Sequence, residues 1–332
     1  MRMRAGWYET CGPADEVIEV GEMAAPEPGP GEVLVRLHAS GIDPSDYKRR
    51  GNTKQKIEFP RVIPHSDGAG IVAGLGAGVT GFKPGDRVFV FNGQWQRPFG
   101  TAAEFIALPA FQVRPLPAAL SFAEGACLGI PAMTGYHAVF KDGPVAGQTI
   151  YVPAATGRVG AYALQFAKWG GARVIASASG PEKTRIAAEL GADVVLDRTQ
   201  GDIAARVLAA TGGAGVDRVI EVEFGGNMAV NERILAERAT ICSYASAAVP
   251  QALVTVSPRR ARNMSMHFIF VYTISDAEKD AACAGIVRAI AEANIVHRIA
   301  GIIPLAELAR AHREAEGQSG TGHMVVEIPA RP

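Results

Sequence analysis

The sequence predicts an α/β protein in which a doubly wound parallel sheet is joined to a second, β-rich lobe. Three observations predict it. The stretch Thr149–Gly160, TIYVPAATGRVG, runs from a short apolar strand through a small-residue turn into a helix. From residue 172 to residue 243, apolar strands alternate with helical stretches, the βαβ pattern of a parallel sheet. Residues 1–40 instead read as short strands separated by Pro and Gly.

Composition narrows the class. The 332 residues are enough for two domains with substantial cores. Charge is balanced, 33 basic residues against 33 acidic, so no nucleic-acid or charged-membrane partner is expected. Cys11, Cys127, Cys242 and Cys283 are scattered and form no C-x-x-C pair. They predict small buried apolar residues rather than disulfides or a Cys-rich structural zinc lobe. The N-terminal MRMRAGWYET lacks the apolar run of a secretory signal, and no run reaches the ~18 residues of a membrane span. A soluble, cytoplasmic protein is expected.

In chain order, Val17–Val20 and Val33–Leu37 read as strands around a Pro/Gly connection at 24–31. A polar loop at 39–46 enters a short helix, and Pro84-Gly85-Asp86 is a turn feeding a strand. Phe122–Leu128 and Ala132–Phe140 read as helical. In the parallel sheet, Ile150–Val152 is the first strand, Ala172–Ser179 the second, and Val194–Leu196, Val216–Val222 and Thr240–Ser243 follow. Helices are expected at 187–190, 203–211 and 227–235 between them. Glu221 and Glu223 are unusual residues for the end of a buried strand. After it, His267–Tyr272 reads as a strand, 281–293 and 307–316 as helices, and His323–Ile328 as a closing strand.

Strand, small-residue turn and helix place a dinucleotide pyrophosphate on a helix N-terminus, where free N–H groups and the dipole favour negative charge. The small residues are spaced Ala154-x-x-Gly157-x-x-Gly160, which departs from strict G-x-G-x-x-G and also suits simple close packing. On the cofactor reading, Ala155, Thr156, Gly157, Arg158, Val159 and Gly160 are the phosphate-side residues. The second strand ends Ser177-Ala178-Ser179 with no carboxylate to take a ribose 2′-hydroxyl, and Lys183 follows. That pattern favours the 2′-phosphate of NADPH, with Lys183 alternatively a solvated helix-face charge. The loop Tyr244-Ala245-Ser246 lies at a strand C-terminal end, where ligands of such sheets bind.

Six stretches in order resemble the medium-chain dehydrogenase/reductase superfamily: SGIDPSDYKRRG, PHSDGAGIV, GFKPGDRV, GTAAEFI, LSFAEGACLGIPAMTGYHAVF and AATGRVG. Within it the chain is more similar to the zinc-free, zeta-crystallin-like quinone oxidoreductase branch. The resemblance implies a discontinuous GroES-like catalytic domain, residues 1–124 with 267–332, and a Rossmann NADP-binding domain, residues 125–266. It implies NADPH in the cleft between them and a homodimer through the sheet edge. The expected activity is metal-free reduction of a small-molecule quinone or related conjugated carbonyl. The alternatives are an enoyl or 2-alkenal double-bond reductase, or an NADPH-binding regulatory or RNA-binding protein with little activity.

The resemblance also supplies site residues. The zinc-dependent branch carries a Cys where this chain has Asp43 and a His-Glu pair where it has Ser66-Asp67, so no metal site is expected. Asp43, where the branch usually has Asn, is a candidate for a ribose hydroxyl or a water. Tyr47 is the candidate proton donor, with packing as its alternative, since relatives place their tyrosine where this chain has Lys48. Thr134 maps beside the nicotinamide, or bonds its own helix. Arg198 falls where relatives place a Tyr near the 2′-phosphate, and Phe270 and Tyr272 fall on the segment at the cofactor cleft. Arg158 replaces a usual Gly and either adds a phosphate contact or points to solvent; Trp95 either walls a flat substrate or sits in a mobile surface loop.

Overall fold

The computed structural model describes residues 1–54, 56–317 and 321–329. The chain divides into two units, Met1–Pro131 with His297–Pro332, and Ala132–Val296. The division differs from the boundaries at 124/125 and 266/267 expected from sequence. Residues 267–296 fall in the second unit because the long helix Asp276–Glu292 packs on the helix Met133–Phe140, with Gly285 against the Tyr136 ring.

The first unit opens with β1 (Arg2–Trp7), the single turn α1 (Ala14–Val17), β2 (Glu19–Ala24), β3 (Glu32–Ile42) and α2 (Pro44–Gly51). It continues through β4 (Asp67–Leu75), β5 (Arg87–Val90), β6 (Phe105–Pro109), β7 (Val113–Pro115) and α3 (Phe122–Gly125). The strand expected at 17–20 is displaced. Asp15 and Glu16 favour a helical turn after Pro13, and the strand begins only where Glu19 pairs with Trp7. The two helical stretches expected at Phe122–Leu128 and Ala132–Phe140 are separate helices, the first ending at Gly125, and between them lies a wide turn, Leu128–Ala132, in which Gly129 is non-helical and Pro131 has no N–H to donate.

The second unit runs α4 (Met133–Phe140), β8 (Thr149–Val152), α5 (Arg158–Trp169), β9 (Arg173–Ala178), α6 (Gly180–Glu189) and β10 (Val194–Asp197). Then come α7 (Ile203–Ala210), β11 (Val216–Glu221), α8 (Phe224–Ile234), β12 (Leu235–Ser243), α9 (Val256–Ala261), β13 (Ser265–Phe268) and α10 (Asp276–Glu292). Among the described residues its strands form one parallel sheet, ordered β10-β9-β8-β11-β12-β13. The order reverses at β8, so the turn after β8 sits at the topological switch point. The strand expected at 267–272 stops at Phe268. Its partner, β12, ends at Ser243, and the chain turns into a 3₁₀ segment at Val271–Thr273.

The tail returns to the first unit as β14 (Ile299–Pro304), α11 (Leu308–Gly317) and β15 (His323–Glu327). β15 pairs with β3, completing the sheet β14-β15-β3-β4-β5-β7, with β6 also on β3. Leu308, Ala311 and Ala315 of α11 join Val33, Val35, Leu37 and Val88 in the core of this unit.

A directed chain of polar groups crosses that core. Thr101 donates its hydroxyl to the Asp67 carbonyl at 2.6 Å. Its proton is then spent, so Ser40 donates to Thr101 at 2.7 Å. The His65 Nδ1–H therefore donates to Ser40 at 2.8 Å, and the His312 Nε2–H donates to His65 Nε2 at 2.9 Å. Proton counting thus assigns both tautomers and leaves His312 Nδ1 as a buried acceptor that no donor among the described residues reaches.

Both imidazoles are held neutral. Burial pushes His65 down to about 3; burial, His65 and Arg50 put His312 well below its ordinary value. Unfolded, both titrate near pH 6.5, so between that pH and the folded values the unfolded chain binds more protons. Stability is full above pH 6.5 and is lost as the pH falls. Urea unfolding free energies should drop by up to about 1.4 kcal/mol per pH unit per histidine below pH 6.5. A value constant down to pH 5 would mean that the pair carries protons in the fold.

Candidate functional site

The turn after β8 is shaped by three small residues, each with its own reason. Ala154 takes the left-handed conformation, φ +51°, which bulky or branched side chains resist. Its carbonyl accepts the Gly157 N–H at 2.9 Å, and the Ala155 N–H reaches across to the Ser177 carbonyl of β9 at 3.1 Å. Gly157 is the N-cap of α5 and supplies no side-chain cap. Gly160 packs on the turn itself: a Cβ there would lie 2.5 Å from the Ala154 oxygen. The first N–H groups of α5, at Arg158, Val159 and Gly160, have no acceptor within the helix. They form a donor cluster at the positive end of a dipole in a helix of 12 residues. Thr156 is buried in the turn and Arg158 is half-buried.

At the end of β9 the predicted residues separate. Ser177 is buried, its hydroxyl 2.8 Å from that of Tyr151, whose phenol burial pushes up to about 12. Ser177 is therefore a sheet residue and its hydroxyl is engaged. Ser179 and Arg198 meet instead: Arg198 Nε donates to Ser179 Oγ at 2.7 Å on the exposed rim. Lys183 is half-buried in the first turn of α6. Beside them Asp197 accepts the Thr199 hydroxyl, the Thr199 N–H and the Gly180 N–H, and these bonds hold its carboxyl below the usual range. Sequence reading passed over Asp197, although an Asp that begins a D-x-T turn is a legible signal.

At the C-terminal ends of β11, β12 and β13 lies a cavity of about 510 Å³ walled by Phe224, Tyr244, Ser246, Phe268, Ile269 and Phe270. Glu221 and Glu223 build its frame. Glu221 accepts from the Glu223 N–H and from the Asn227 and Asn231 amides. Glu223 gathers the N–H groups of Ala247, Ala248 and Val249. Burial opposes its ionisation, but these donors outweigh it and keep its carboxyl ionised. Ser246 donates to the Val249 carbonyl at 2.6 Å and accepts the Gly225 N–H at 2.9 Å, so it stabilises the loop. Burial and the neighbouring Glu221 raise the Tyr244 phenol, which stays neutral. Phe270 is exposed and its ring lies 5.0 Å from that of Tyr272, which is buried. Thr134, on α4, is buried in the same unit.

In the first unit the candidates sit on α2. Tyr47 packs against the hydrophobic core and Lys48 is exposed. Trp95 is covered by the Arg49 guanidinium, 5.7 Å from its ring centre, and Arg49 also holds Gln94 at 2.6 Å. Asp43, 2% exposed, is the N-cap of α2 in a capping box with Asp46, whose carboxylate accepts the Asp43 N–H at 2.7 Å. It is hydrogen-bonded to the buried Asp67. A catalytic zinc needs three Cys, His or carboxylate ligands around an open position. Two carboxyl groups engaged with each other beside Ser66 do not fit it, and among the described residues no three such groups converge on a common point.

A parallel sheet with a donor-rich turn at its switch point is the architecture of the doubly wound, dinucleotide-binding type of fold. Residues 29–118 match the family described as alcohol dehydrogenase GroES-like domain, and 159–284 the one described as zinc-binding dehydrogenase. The chain is 30% identical to the quinone oxidoreductase of Rattus norvegicus over 96% of its own length and 95% of that protein's. It is 32% identical to a trans-enoyl reductase of Aspergillus terreus over 60% of this chain and 70% of that one. A mycobacterial protein solved in complex with NADPH superposes with a TM-score of 0.84 at 27% identity, covering 98% of this chain and 99% of that one. The chain belongs to the medium-chain dehydrogenase/reductase superfamily, in its quinone oxidoreductase branch, and is a quinone-oxidoreductase-like enzyme.

The turn geometry predicts opposite effects at its two small ends. Gly160→Ala should lower stability by about 1–3 kcal/mol, because the new methyl meets a backbone oxygen that cannot yield. Ala154→Gly removes a left-handed penalty of about 1–2 kcal/mol and should leave Tm unchanged or raised. Thermal unfolding of both variants checks the pair, and a Gly160→Ala protein with the parent's Tm would contradict the packing described.

Proposed function

We propose that the protein reduces quinones or related conjugated carbonyls with NADPH and without a metal ion. The observation that carries the reading is the uncapped N-terminus of α5, closed beneath by Gly160 and standing at the switch point of the sheet. Its N–H groups would hold the pyrophosphate, with Thr156 and Arg158 beside it. Arg198, held by Ser179, and Lys183 would take the 2′-phosphate through charge-assisted hydrogen bonds. The loop fastened by Glu223 would hold Tyr244 at the nicotinamide end, with Phe270 across the same cavity. NADPH supplies the hydride. The protein's part is to orient the acceptor and to keep water away, which the aromatic walls support. Tyr47 is better placed to pack than to donate a proton.

The fungal trans-enoyl reductase among the relatives supports a second reading, reduction of a conjugated carbon–carbon double bond. NADPH absorbance followed with a panel of quinones and enals separates the two. Tight NADPH binding with no oxidation by any acceptor would overturn both. The edge position of β13 and its exposed Phe268 support a homodimer through that strand, which light scattering tests.

Arg198→Ala should weaken NADPH binding about tenfold or more, as expected for loss of one charge-assisted bond of about 1.5–3 kcal/mol, and leave NADH binding unchanged. Fluorescence titrations with both cofactors measure it. Equal losses for the two would place Arg198 away from the 2′-phosphate.

A further inference from the structure

Asp43 and Asp67 are 2% and 1% exposed and hydrogen-bonded to each other. Two carboxylates are acceptors only, so the bond needs a proton held by one of them. Their other contacts say which. Asp43 caps α2, where the Asp46 N–H and the positive helix end favour its anion. Asp67 takes one N–H through Oδ2, from Ile130 at 2.6 Å. Oδ1 of Asp67 takes no N–H and faces Gly129. Burial, then the Asp43 charge, raise the Asp67 carboxyl well above its ordinary value. Asp46 is the third acid facing the pair.

We propose that Asp43 and Asp67 share one proton, carried by Asp67 and donated to Asp43, and that this acid pair, not a metal ion, fastens the turn Leu128–Ala132. The turn is built around it. Gly129 has φ −70°, ψ −110°, and a Cβ there would lie 2.1 Å from Asp67 Oδ1. The next residue, Ile130, donates its N–H to the same carboxyl. A neutral acid joined to an anion is a single buried charge facing a helix N-terminus, whereas two anions at that distance would repel. The proposal shares with the proposed function only the lack of a catalytic metal, and its test needs no turnover.

Infrared spectra at pH 7 should show the C=O band of a protonated carboxyl that shifts in D₂O and is missing in Asp67→Asn. That variant keeps an N–H donor towards Asp43 and should unfold within about 3 °C of the parent. Asp67→Ala, which leaves Asp43 and the Ile130 N–H without this partner, should unfold well below both. After dialysis against a chelator, zinc titrated into the parent should bind without stoichiometry and leave Tm unchanged. No protonated-carboxyl band in the parent would overturn the proposal, and that reading stands even if Asp67→Asn does not fold. One zinc ion bound per chain, lost in Asp43→Asn, would overturn it equally.

Discussion

The second unit depends on one backbone contact, the Ala155 N–H on the Ser177 carbonyl, between the ends of β8 and β9. That bond pins the turn to the neighbouring strand while Ala154 reverses in a left-handed conformation. With the turn pinned, α5 can start only where Gly157 stands, and only a residue without Cβ fits three positions later. The helix end is thereby presented at the switch point of the sheet, its first N–H groups without an acceptor in the helix. A side chain at Gly160 would push the turn away from the helix, and an N-cap hydroxyl at Gly157 would take a donor that an anion would use.

Acidic residues do most of the structural fastening around this frame. Glu223 gathers three successive N–H groups, Asp197 holds the start of α6, and Glu221 binds two amide side chains of α8. Each takes backbone or amide donors that would otherwise be unmet in a loop, which makes the loops at the strand ends rigid without apolar burial. The same economy of donors rules the first unit. The Thr101–Ser40–His65–His312 chain has one allowed direction, and the Asp43–Asp67 pair has one place for its proton.

The loops that carry the cavity are therefore organised from behind. Ser246, a natural choice as a ligand residue, spends its hydroxyl on Val249 and Gly225, while the aromatic rings of Phe224, Phe268 and Phe270 supply the walls. Ser177 and Tyr47 are similarly drawn inward, one to Tyr151 and the other to the core. At this rim Arg198 is held by Ser179.

The alternation of apolar runs and helical stretches was enough to read the parallel sheet, because strand and helix periods are local properties of a few residues each. The turn Ala154–Gly160 was legible for the same reason, since its small residues are required by their immediate neighbours. What lay beyond the sequence is whatever needs a distant partner. The helix α1 displaced a strand because β2 takes its register from β1, and β13 stopped early because β12 ends at Ser243. The unit boundary moved because α10 packs on α4, more than a hundred residues earlier in the chain. The roles of Glu221, Glu223, Asp67 and Ser177 likewise came from donors brought close only by the fold. A carboxyl or hydroxyl has no intrinsic assignment: its protonation and its partner are decided by burial and by which N–H groups converge on it.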